Sequence, residues 1–151
     1  MMRIKTILGI VGFSLLILSL PSLAAAQGYS RVQLKNDIKR LKNDSRDFSK
    51  FVDRDLDKSK YNGSRREDNL NQLARDFRDA AARLESRFGD GRNLNDSRSE
   101  ANEVLRIANQ VDRVMKRAKL SQNVEDYWHQ IDNQLDHISQ EYRNRRGGWR
   151  N

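Results

Sequence analysis

Val124-Glu-Asp-Tyr-Trp128-His-Gln-Ile131-Asp-Asn-Gln-Leu135-Asp-His-Ile138-Ser-Gln-Glu-Tyr142 sets an apolar residue at alternating steps of four and three. On an α-helix that spacing aligns Val124, Trp128, Ile131, Leu135, Ile138 and Tyr142 along one side, the seam expected of left-handed bundle packing. Such a seam is stable in water only when other helices cover it. The remainder of the chain supplies three such helices.

A third helix is predicted over 98–118, joined to the fourth by Lys119 and Leu120. It turns Ala101, Val104, Ala108, Val111, Val114 or Met115, and Ala118 inward, small residues that let a neighbour approach closely. A second helix over 65–88 carries Leu70, Leu73, Phe77, Ala80 or Ala81, Leu84 and Phe88, with Asp79 and Arg83 spaced for an i, i+4 pair. A first helix over 31–58 carries Leu34, Ile38, Leu41, Phe48, Val52 and Leu56, with Ser45 as the weak point of its stripe. Gly63 and Gly89-Asp-Gly91 supply the breaks.

Serines stand where the four helices would begin: Ser30, Ser64, Ser97 and Ser121. The first three open S-x-x-[E/Q] boxes, closed by Gln33, Glu67 and Glu100. In such a box the serine accepts from the N3 amide and the Glu or Gln reaches back to the cap amide. The two halves also echo each other. Val52-Asp-Arg54 recurs as Val111-Asp-Arg113, and Glu67-Asp68 as Glu125-Asp126, so two hairpins of similar length would pack as a pseudo-symmetric pair.

The N-terminus has a different character. Arg3 and Lys5 precede a nearly unbroken apolar run over 7–20; Pro21 ends it, and Ala24-Ala-Ala26 offers a cleavage site, the layout of a secretory signal peptide. The run is shorter than the roughly 20 residues of a spanning helix. Cleavage after Ala26 leaves 125 of the 151 residues, enough for one core. The absence of cysteine excludes disulfides, thiolate chemistry and a lipidated N-terminal cysteine, and the one proline lies in the leader.

The formal charge of +8 falls to about +6 without the leader, and Arg143, Arg145, Arg146 and Arg150 hold four of those positives. The helical body is then near balance, a mixed solvated surface.

Candidate chemistry is sparse. His129 and His137, the only histidines, lie two turns apart, too far for one ion to bridge. His129 with Asp132 is the best metal-ligand pair on offer, and rings pointing away from the seam are expected to be solvated. Asp53, Asp55 and Asp57 lack the glycine and terminal glutamate of a calcium loop, and on a helix they diverge. Arg143, Arg145, Arg146, Trp149 and Arg150 form the best contact surface: arginines bond phosphates and carboxylates bidentately, and Trp149 can stack or enter an interface. Trp128 belongs to the core, and Tyr127 beside it flanks a groove.

The stretches 52–59, 63–71 and 111–117, followed by Trp128-x-x-Ile131-x-x-x-Leu135-x-x-Ile138-x-x-x-Tyr142, resemble a group of small exported helical bacterial proteins of unknown function. The resemblance covers most of the chain after the leader. It implies a bacterial exported helical protein and brings no cofactor or catalytic residue.

The expectation is an all-α protein: signal peptide (1–26), antiparallel four-helix bundle of two hairpins (27–142) and basic flexible tail (143–151). No cofactor is expected. The expected role is non-enzymatic binding or structural interaction in the periplasm or the medium. The partner would be a protein, an anionic surface or a second copy of the chain. No specific nucleic acid and no transmembrane segment after cleavage are expected. The alternative is a periplasmic small-ligand, metal-binding or chaperone-like bundle using a groove beside the fourth helix.

Overall fold

A computed structural model describes residues 23–60, 62–92, 94–118 and 120–144. They form four α-helices: α1 (Leu23–Asp57), α2 (Arg65–Phe88), α3 (Arg98–Ala118) and α4 (Gln122–Asn144), with a 3-10 turn at Leu94–Ser97 leading into α3. Side-chain pairs fix the directions. Asp37 faces His137, Asp44 holds Gln134 and Asp55 holds the Ser121 amide, so α1 and α4 run antiparallel. Lys42 to Glu85 aligns α1 against α2, and Arg87 to Glu100 aligns α2 against α3.

The predicted stripes are the core. Leu34, Ile38, Leu41, Phe48, Val52 and Leu56 of α1 are buried, as are Leu70, Phe77, Ala80, Ala81, Leu84 and Phe88 of α2. All six seam residues of α4 are buried. Ser45, the weak point of its stripe, is accommodated because its hydroxyl donates to the Lys42 carbonyl at 2.9 Å. On α3, Met115 rather than Val114 turns fully inward, and Ile107 joins the core. Leu73 is only partly buried, and Ala74 takes the inner position beside it.

Helix starts follow the serines with two corrections. At Ser64 the box forms: the hydroxyl accepts the Glu67 amide at 3.3 Å, and Glu67 reaches back to the Gly63 amide, one residue before the cap. Gly63 permits this with φ of +74°. At Ser97 the box does not form. The residue is buried, its hydroxyl is 2.7 Å from the Tyr142 phenol, and Glu100 accepts instead from Ser99 at 2.8 Å. Ser30 is no helix start either, because α1 begins at Leu23 and runs through it. Leu23-Ala-Ala-Ala26 is a strong helix-forming run that extends the helix past the box.

Two further expectations change. Asp79 pairs with its neighbour Arg78 at 2.8 Å and not with Arg83, which lies in the field of Glu100 and Glu103 from α3. The hairpins are not of similar length, since α1 has 35 residues and α3 has 21. Their packing differs too: α1 lies along α2 and α4, and α2 along α1 and α3, but α3 and α4 touch sparingly.

Candidate functional site

That sparing contact leaves a concave feature between the two helices. α3 and α4 are joined by 119–121 at one end and pinned at the other. There Arg98 Nη1 donates to the Tyr142 carbonyl at 3.0 Å, its guanidinium lies 5.9 Å from the Tyr142 ring centre, and the Ser97–Tyr142 bond closes the corner. Between the pins lies an open groove of about 610 Å³. Leu105, Ala108 and Leu135 form its apolar floor.

The walls are polar because the helices present polar residues there. On α3, Asn102, Asn109, Asp112 and Lys116 line the groove; on α4, Asp132, Asp136, Ser139 and Arg143 do. Carboxylates occupy the middle, with arginines at the Tyr142 end. Lys116 answers Asp112 at 2.7 Å. The carboxyl of Asp132 is pushed above the ordinary aspartate value, first by burial, then by Asp136 and Asp112; His129 and Lys116 oppose the shift. A ligand cation placed among these groups would relieve that repulsion.

His129 and Asp132 do come together electrostatically, but His129 is exposed, and no group of three or more His, Cys, Asp or Glu among the described residues could hold a metal ion. His137 turns toward α1, with Nδ1 3.9 Å from Asp37. Asp53 and Asp57 are exposed, while Asp55 accepts the Ser121 amide at 2.9 Å. Arg143 is exposed at the end of α4, and its Nε donates to the Ser139 carbonyl at 3.4 Å. Arg145, Arg146, Trp149 and Arg150 lie outside the described residues.

Trp128 is core, with its ring 4.9 Å from Phe48 and 5.4 Å from Phe77. Tyr127 stacks at 5.1 Å on half-exposed Phe51 and reaches Asp44 at 3.5 Å. It therefore belongs to the α1–α4 side and not to the groove.

Sequence reading expected Tyr127 to flank a groove beside the fourth helix; the α3–α4 groove lies on another side of that helix, and its residues on α3 were not identified. Arg98, Asn102, Asn109, Asp112 and Lys116 follow one another at steps of four, seven, three and four, a polar stripe with bundle spacing. That stripe was the available signal. Comparisons with protein-family models, curated proteins and solved structures returned no match.

Proposed function

We propose that the chain is an exported, non-enzymatic binding module whose contact surface is the α3–α4 groove, and that its occupant is a basic segment of a partner protein. The observation carrying this reading is that two consecutive helices, pinned at both ends, enclose a polar-walled groove where a packed seam would otherwise run. Asp112, Asp132 and Asp136 would pair Lys or Arg side chains, Asn102 and Asn109 would bond the segment's backbone, and the apolar floor would take one apolar side chain. Export is supported by the basic start, the apolar run over 7–20 and Ala24-Ala-Ala26. Among the described residues no helix is long and apolar enough to cross a membrane.

The test is a titration of the isotope-labelled protein with a decapeptide alternating lysine and leucine. Amide shifts should concentrate at Asn102, Asn109, Asp132 and Asp136, and Asp132→Asn with Asp136→Asn should weaken binding at least fivefold. Shifts confined to other faces, or none, would refute the reading. An anionic-surface contact is the second reading. It is favoured by Arg143, which meets no carboxylate within salt-bridge distance among the described residues. It predicts binding to heparin that weakens steeply with salt and is lost when 143–151 are deleted.

A further inference from the structure

A second concavity, on another face of α3, has the opposite character. It lies where the C-terminal ends of α1 and α3 meet the start of α2, and encloses about 290 Å³. Its floor is partly exposed Val114, lying over Leu56 and Leu70 of the buried core, and its rim is Arg65, Arg66 and Arg117. No carboxylate is among the described residues that line it. On a body where acids and bases otherwise alternate, this is a pocket of one sign over an apolar base. The three arginines are exposed side chains on two different helices, so the rim is set by packing and not by one run of sequence. The start of α2 brings the positive end of one helix dipole to this corner and the C-terminal ends of α1 and α3 bring two negative ends, so the rim arginines and not the dipoles supply the site's positive charge.

From this pocket we infer a ligand site for a single-chain amphiphilic anion: an alkyl chain against Val114 and the aliphatic stems of the rim arginines, with a carboxylate or phosphate held by Arg65 and Arg117. Guanidinium groups bind both headgroups bidentately, and the apolar floor makes the chain as necessary as the charge. The volume sits at the lower edge of the roughly 300–1,000 Å³ of ligand pockets, which limits the occupant to one chain partly exposed to solvent. The site is separate from the α3–α4 groove and shares no lining residue with it. Its failure would leave the groove reading intact, and the reverse holds.

The experiment is isothermal titration of the full chain with decanoate, with a ten-carbon lysophosphatidic acid and with decyltrimethylammonium, each below its micellar concentration. One equivalent of decanoate or lysophosphatidic acid should bind, the tighter of the two identifying a fatty acid or a lysolipid as the source. Arg65→Ala with Arg117→Ala should weaken that binding at least tenfold, whereas Arg113→Ala, an exposed arginine outside the pocket, should leave it within twofold. Val114→Trp, which fills the floor, should also weaken it, with an unchanged circular-dichroism spectrum showing that the fold persists. Equal binding of decyltrimethylammonium, no binding of either anion, or anion binding that survives the double arginine variant would overturn the site.

Discussion

Tyr142→Phe removes one oxygen, and its consequence can be worked from two distances. The Tyr142 hydroxyl lies 2.7 Å from Ser97 Oγ, and both residues are buried. Without it, Ser97 keeps only a 3.4 Å contact to the Leu94 carbonyl, at the weak limit of a hydrogen bond. A buried hydroxyl left with so poor a partner costs about 1–2 kcal/mol. Ser97→Ala orphans the buried Tyr142 phenol in turn and should cost a similar amount, about 1–2 kcal/mol. Removing both partners leaves no orphan, so the double variant should cost clearly less than the two single changes together, a coupling of about 1 kcal/mol. Arg98 still bonds the Tyr142 carbonyl in every variant, since that contact uses the backbone. Urea unfolding followed by tryptophan fluorescence measures all four proteins, with constant m-values as the check on two-state behaviour. Single-variant costs that simply add would refute the idea that this bond pins α3 to α4.

Trp128→Ala should cost about 3–5 kcal/mol by the same assay, since it empties the space between Phe48 and Phe77. Trp128→Phe should cost much less, because the buried indole N–H has no hydrogen-bond partner among the described residues to lose. The phenols of Tyr142 and Tyr127 are both held above the ordinary tyrosine value, by burial first and, for Tyr127, by Asp44 and Asp47 in addition. Their contribution to stability is therefore complete below about pH 10 and lost as pH rises through the raised folded values. Urea midpoints between pH 9 and 11.5 should fall, and Tyr142→Phe should flatten the fall. Asp132 is likewise raised, so its charged form is disfavoured by folding and its contribution is lost as pH rises past the ordinary aspartate range. Asp132→Asn should melt higher than the parent at pH 7 and lose that advantage near pH 3; a lower melting temperature at pH 7 would refute the repulsion. Ser30→Ala should leave the full chain unchanged, where α1 runs through it, and destabilise a chain starting at Gln27 by about 1 kcal/mol if the serine then becomes the cap.

The core was legible because burial imposes a period. Phe48, Val52 and Leu56, or Ile131, Leu135 and Ile138, can face a common interior only at helical steps, and those steps survive in the letters. The starts were less legible, since a serine before a helix can spend its hydroxyl on the helix or elsewhere. Ser64 spends it on Glu67, and Ser97 spends it on Tyr142, 45 residues away. No local pattern contains that choice. Arg65, Arg66 and Arg117 illustrate the same limit: the first two are neighbours in sequence, and only packing carries Arg117 to them. The groove was less legible. Asp132 stood out only as a partner for His129, while Asp112 read as part of an internal repeat, and nothing in that repeat says which helix it faces.

The open side of the bundle follows from what each helix spends its faces on. α1 meets α2 and α4, and α2 meets α1 and α3, so three seams already bury the four apolar stripes. The small residues of α3 that invite close packing, Ala101, Ala108 and Ala118, are buried within the same core and leave Asn102, Asn109, Asp112 and Lys116 to face α4. Closing the fourth seam would strip water from Asp112, Asp132 and Asp136 together, at several kcal/mol for each ion not given a partner. Leu135 is already buried, and Leu105 alone would not return that much, since fully burying one such side chain yields only about 1.5–3 kcal/mol. Hydration of these carboxylates therefore keeps the walls apart, and the contacts at Tyr142 at one end and the start of α4 at the other fix how far. A ligand that brings its own cations changes the balance on this side only, and it can do so without repacking any of the three seams that carry the fold.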